Sequence, residues 1–343
     1  MMPEQPTAAA FTPITPNPFI VGNPVRDRRM FFGREAEFDL IRRRFQPPAE
    51  GGLLVFCGER RSGKTSILFQ IMDGRLGPAF LPILIDMQSM ASTTEAEFLG
   101  SIASEMLAAL RTNPGDTAGV RPVPLAEVVS PRTGSIPGGQ ALRPPSFEGQ
   151  VHPTSVFLRF VEDVRREHPG RTLVLLVDEY ELLESKIEAG VLSQDVLLML
   201  AALMEAHSVC LVFTGSTHIE QRRRDYWRIL GKSLYREISY LQRDDAVRLI
   251  IEPVRGIVSY EDGVVERILR LTAGQPFYTQ AICQSVVDVL NEERNYVAGP
   301  EVIDQVVRDI VENPFPQMVF LWDGMERDER IALALLAECL QSD

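Results

Sequence analysis

No stretch of the chain approaches the roughly eighteen continuous apolar residues that a membrane-crossing helix requires. The N-terminus, MMPEQPTAAAFTP, has no basic stretch followed by an apolar run, so it does not read as a secretory signal. Cysteine is scarce. The four, Cys57, Cys210, Cys283 and Cys339, lie far apart in apolar segments, without metal spacing or the pattern of a disulfide framework. They read as buried thiols in a reducing compartment, and the chain reads as cytoplasmic. Histidine is equally sparse: His152, His168, His207 and His218 show no ligand spacing. Basic charge is outweighed, with a net charge of -12, which argues against a nucleic-acid partner without excluding a local basic face. Two arginine runs, Arg42-Arg43-Arg44 and Arg222-Arg223-Arg224, lack interleaved aromatics and read as solvated helix faces or internal phosphate contacts. No repeat of fixed period is visible.

What remains is ordinary globular composition: 343 residues, 45% hydrophobic and 24% charged. That suffices for a sizeable core, with two units expected rather than one. Residues 1–30, rich in Pro, Thr and Asn, read as an extended segment. A helix of about ten residues should follow Gly33-Arg34. Leu53–Cys57, Leu81–Met87, the run ending at Asp178-Glu179, and Val209–Gly215 are short continuous apolar runs, hence buried strands. Helical spacing lies between them: after Lys64, over Thr94–Leu110, from Val156 (Phe157, Phe160, Val161, Val164), and over Leu192–Ala206. Non-alternating apolar strands separated by helices argue for a mainly parallel sheet covered on both faces. The 111–150 stretch, dense in Pro and Gly, interrupts this core as a long loop or disordered insertion. The core is expected over 31–240 and a helical lid over 241–315. The 316–343 segment, with an apolar helix from Arg327 to Leu340, reads as the start of a truncated further domain or as a helix docked on the bundle.

Gly58-Glu59-Arg60-Arg61-Ser62-Gly63-Lys64-Thr65 matches the phosphate-binding GxxxxGK[ST] pattern in full. It follows an apolar strand and opens an apolar-periodic helix, the context that the pattern needs. Its glycines let backbone N–H groups face a polyphosphate, and the helix offers its positive end to the same anion. Gly58, Arg61, Ser62, Gly63, Lys64, Thr65 and Ser66 form the expected phosphate-binding set. Lys64 should reach the β and γ phosphates, and Thr65 should place its hydroxyl on Mg²⁺. The second signature is Leu173 to Glu179, a buried strand ending in two acids. Asp178 should support the Mg²⁺ shell and Glu179 should polarise the attacking water as general base. Thr214 or Ser216, at the next strand end, is the candidate γ-phosphate sensor. A guanine-reading Asn-Lys-x-Asp element is absent, so ATP is favoured over GTP.

In this order, the motifs resemble the STAND and archaeal-type ATPase branch of the AAA+ superfamily. The residues that carry the resemblance are Asn17-Pro18-Phe19, Phe31-Phe32-Gly33-Arg34-Glu35, the phosphate loop, Asp178-Glu179, Thr214-Gly215-Ser216 and Gly274-Gln275-Pro276, spanning about residues 15–300. The resemblance implies that Phe32, Gly33 and Arg34 lie near the nucleotide base, with the N-terminal segment taking part. It implies that Pro276, in the lid, lies near the phosphates. It further implies an ATP/ADP switch that uses Mg²⁺, hydrolyses slowly, and assembles with itself or with sensor and effector domains in the ATP state. A trans-acting arginine finger is not assignable among Arg222, Arg223, Arg224 and Arg236. Two rival readings stay open: a DNA-associated ATPase of initiator or transposition-helper type, and a scaffold that binds nucleotide without turning it over.

Overall fold

The computed structural model describes residues 11–46, 51–92, 94–111, 142–147, 149–206, 209–216 and 233–341. The chain forms two compact units: one of residues 22–246 with 274–277, the other of residues 1–21, 247–273 and 278–343.

The larger unit is built on β1 (Gly52–Cys57), β2 (Phe80–Asp86), β3 (Thr172–Asp178), β4 (Val209–Gly215) and β5 (Leu234–Glu237). They form one sheet in the order β2-β3-β4-β1-β5, with every neighbouring pair parallel. Each residue of β3 and β4 is buried, as expected for strands covered on both faces. The alternation is hidden in the apolar runs but plain in the packing. Leu53, Val55, Leu173, Leu175, Leu211 and Phe213 point to one face. There they meet α3 (Glu95–Arg111), α4 (Pro153–Glu167) and α6 (Asp195–Glu205). Leu54, Phe56, Val174, Leu176, Cys210 and Val212 point to the other face. That face is covered by Phe38 and Ile41 of α1 (Glu35–Arg44) and by Ile67, Leu68 and Ile71 of α2 (Lys64–Met72). A short helix, α5 (Tyr180–Glu188), leaves β3 directly.

Two details differ from the sequence reading. The edge strand β5 was not expected, because Leu234, Arg236 and Glu237 are exposed and carry no apolar run. The 111–150 stretch, read as a loop, is described only in part. On its return leg, Phe147 is buried in the core with its ring beside Gly100, so that portion belongs to the core.

The smaller unit holds most of α7 (Arg243–Ile251), α8 (Val264–Thr272), most of α9 (Pro276–Glu293), α10 (Pro300–Glu312), α11 (Pro316–Gly324) and α12 (Arg327–Gln341). Two-residue strands β6 (Ser259–Tyr260) and β7 (Val297–Ala298) pair in parallel within it. Ile331, Leu333, Leu335 and Leu336 of α12 are exposed. For the same reason Cys339 is exposed while Cys57, Cys210 and Cys283 are buried, which corrects the expectation of four buried thiols.

The extended N-terminal segment divides between the units. Residues 22–30 run beside α2: the Val25 N–H donates to Ser66 Oγ at 2.9 Å, and Gln70 Nε2 donates to the Arg26 carbonyl at 2.9 Å. Residues 11–21 lie along α9. Asn291 accepts from the Ile14 N–H at 2.7 Å and donates to the Ile14 carbonyl at 3.2 Å, so one side chain reads both main-chain groups. Gln284 donates to the Phe19 carbonyl at 3.0 Å, and the Phe19 ring is fully buried.

Asn291→Ala should therefore cost about 1–3 kcal/mol, the usual effect of orphaning partly buried main-chain groups. The check is denaturant unfolding together with amide exchange at Ile14, which should accelerate. An unchanged Ile14 amide would contradict this assignment.

Candidate functional site

Parallel pairing brings the C-terminal ends of β1, β3 and β4 to one edge of the sheet, where ligands of open α/β sheets bind. In register, Cys57 lies opposite Gly215, and Val177 opposite Phe213. The loop after β1 and the acidic end of β3 are thus fixed on either side of the β4 terminus.

The loop has the backbone of a phosphate cradle. Gly58 sits at φ +155°, and a Cβ there would lie 2.4 Å from the Ile238 carbonyl oxygen. Only glycine allows that approach. Gly63, at φ +97°, precedes the first residue of α2 and faces open space. Ser62 is buried, and its Oγ has no hydrogen-bond partner among the described residues. A buried hydroxyl in that state needs a ligand or water, which fits a bound phosphate. Lys64 Nζ donates to the carbonyls of Gly58 at 2.9 Å and Glu59 at 2.7 Å. Burial pushes the Lys64 ammonium below its ordinary pKa, while the nearby Glu181 and Asp178 oppose that shift. Such a half-desolvated cation gains from an incoming polyanion.

Asp178 is buried at the end of β3 and accepts from the Thr214 hydroxyl, with the Thr65 hydroxyl near enough to favour its ionised form. Desolvation raises its pKa, and the two hydroxyls and Lys64 act against the rise. Glu179 follows in the left-handed conformation, φ 56° and ψ 57°, with its N–H donating to Thr214 Oγ1 at 3.1 Å. Burial first, then the charge of Asp178, pushes the Glu179 carboxyl upward. Among the described residues no cluster of three or more His, Cys, Asp or Glu could hold a metal ion unaided. The set of Thr65 and Asp178 fits Mg²⁺ delivered with a phosphate, a form of binding in which the protein supplies few ligands.

Other sequence-predicted residues are placed as follows. Ser66 directs its hydroxyl to Val25, so it anchors the N-terminal segment. Phe32 and Gly33 are buried, and a Cβ at Gly33 would lie 2.6 Å from the Asp245 carboxylate. Arg34, at φ 70°, donates to the carbonyls of Ser62, at 3.1 Å, and Ser239. It thereby ties the start of α1 to the phosphate loop. The Arg61 guanidinium lies over the Phe277 ring, 4.1 Å from its centroid, beside Pro276. Gly274 accepts from the Leu241 N–H at 2.9 Å, holding that turn in place. Arg236 pairs with the buried Glu37 at 3.2 Å, an internal use for a residue considered as an arginine finger. His218 and Arg222-Arg223-Arg224 lie outside the described residues.

One contributor was missed in the sequence. Glu181 accepts from the Ser216 N–H and acts on Lys64 more strongly than Asp178 does. An acid in the first turn of a helix is too common for its spacing to mark it.

No family model and no curated protein sequence matches the chain. Among solved structures, the chain is similar to Cdc6p from Pyrobaculum aerophilum, with 15% identity, a TM-score of 0.50, and coverage of 88% of this chain and 72% of that one. The Orc1 protein of Aeropyrum pernix, solved in complex with DNA, gives 16% identity and a TM-score of 0.48, over 82% of this chain and 66% of that one. A RuvB mutant from Thermotoga maritima gives 12% identity and a TM-score of 0.46, over 93% of this chain and 80% of that one. The likeness to Cdc6p is one of fold: a parallel five-stranded sheet flanked by helices and followed by a helical region.

A carboxylate whose pKa is raised on folding destabilises the fold wherever it is ionised. That cost is lifted as pH falls through the folded value, which for Asp178 lies above 3.8. Asp178→Asn should raise Tm at pH 7. The gain should shrink on acidification through that range. Thermal melts of both proteins across pH check this, and a lower Tm at pH 7 would contradict it.

Proposed function

We propose that the chain binds ATP with Mg²⁺ and hydrolyses it slowly, as a nucleotide switch of the AAA+/STAND type. The observation that carries this reading is the convergence of Ser62, Lys64 and Thr65 with Asp178 and Glu179 at one sheet edge, with the Thr65 hydroxyl near enough to Asp178 to favour its ionised form. Backbone N–H groups of the loop and the start of α2 would cradle the phosphates, with Ser62 Oγ available to them. Lys64 would exchange its loop carbonyls for phosphate oxygens. Thr65 and Asp178 would hold Mg²⁺, which when bound supplies neutralisation of phosphate charge. Glu179 would accept a proton from the water that attacks the γ-phosphorus, and the bond to the bridging oxygen would break to release ADP and phosphate. Phe32, Gly33, Arg34 and Pro276 would frame the base and phosphate surroundings. The site would read ADP as the resting state and ATP as the state that permits self-assembly or partner contact.

Lys64→Ala and Glu179→Gln should each lower steady-state turnover by about 10²-fold or more, measured as phosphate release. Glu179 must be ionised to act, and its pKa is raised above 4.5. The wild-type rate should therefore fall on acidification at a higher pH than an ordinary glutamate would give. Undiminished turnover in Glu179→Gln would remove the general-base assignment.

A further inference from the structure

Thr214 stands at the end of β4, fully buried, where the sequence reading placed a γ-phosphate sensor. A hydroxyl has one proton to donate and two lone pairs to accept with. With Asp178 ionised, the Thr214 proton is directed to Asp178 Oδ1. The oxygen in turn accepts the Glu179 N–H at 3.1 Å. In this arrangement that proton is committed to Asp178, and a bond to the γ-phosphate would require breaking it. The acceptor bond has a consequence of its own. Glu179 is non-glycine in the left-handed region at φ 56°, a conformation that opposes itself sterically and persists only where neighbours hold it. The bond from its N–H to Thr214 is such a hold. Threonine suits the task because its branched Cβ leaves few rotamers in a buried strand. Two further contacts lace the same corner: Tyr180 stacks on Phe213 at 4.6 Å between ring centroids, and Ser216 N–H donates to Glu181.

We propose that Thr214 is a positioning residue, whose single hydroxyl aims the Mg²⁺-supporting carboxylate of Asp178 and fixes the backbone that presents Glu179, rather than a group that contacts the γ-phosphate. The assignment rests on the ATPase reading for its catalytic meaning, but the bracket itself belongs to the ligand-free protein.

The test compares wild type, Thr214→Val and Thr214→Ser. Residue-resolved amide exchange without nucleotide should show Glu179 exchanging about tenfold faster in the valine variant, the factor for one lost hydrogen bond, and at the wild-type rate in the serine variant. Equilibrium titrations with ATP and with ADP follow, each in Mg²⁺ and in EDTA. The valine variant should weaken both nucleotides alike in Mg²⁺, by about tenfold, leave the EDTA affinities unchanged, and be rescued by serine. Thr214→Ala carries the same expectations if the valine variant does not fold. Loss of ATP affinity with ADP affinity intact would overturn the proposal in favour of direct γ-phosphate contact. Unaltered Glu179 exchange would overturn the bracket. Failure of the wild type to bind nucleotide would sink the ATPase reading alone, and the exchange result would still decide the bracket.

Discussion

The candidate site depends on the parallel register of β1, β4 and β3. Phe56 lies opposite Thr214 and Val177 opposite Phe213, so three strands end at nearly the same height. A slip of one residue would turn every side chain of a strand to the other face. It would break both apolar layers and move Asp178 away from Thr65. The burial of β3 and β4 on both faces makes that slip prohibitively costly. The accuracy of the site therefore comes from the core: Leu53, Val55, Leu173 and Leu211 on one side, and Leu54, Val174 and Val212 on the other.

On that rigid edge the chain places groups that are uncomfortable without a ligand. Ser62 Oγ is buried without a partner among the described residues, Lys64 is a partly desolvated cation, and Asp178 and Glu179 are carboxylates held above their ordinary pKa. Glu179 adds a left-handed backbone. Each feature opposes stability, the pattern expected of the proposed nucleotide site.

The sheet was legible because its strands are nearly pure apolar runs bounded by glycine or by acids. The Gly58–Thr65 loop stood out in the sequence because its glycines and lysine fall at the spacing of the phosphate-binding pattern. Less was legible wherever a role depends on long-range contact. Nothing about Glu181, two residues beyond Glu179, reveals that it accepts from Ser216, since the partner lies on another strand. Strand β5 escaped notice because an exposed edge strand needs no apolar alternation. The anchoring of residues 11–21 on α9 was hidden because asparagine and glutamine side chains read main-chain groups, which carry no residue identity. Ser66, next to the loop pattern, was placed in the phosphate-binding set, yet its hydroxyl oxygen accepts from the Val25 N–H.

The central claim is that the loop after β1, with Lys64, binds the phosphates of ATP. Calorimetric titration of the purified, folded protein with Mg-ATP tests it most directly, with Lys64→Ala as the reference. The account predicts saturable binding at one site per chain, weakened by about tenfold or more in Lys64→Ala. Absence of binding by the folded wild type, or equal binding by the two proteins, would contradict it.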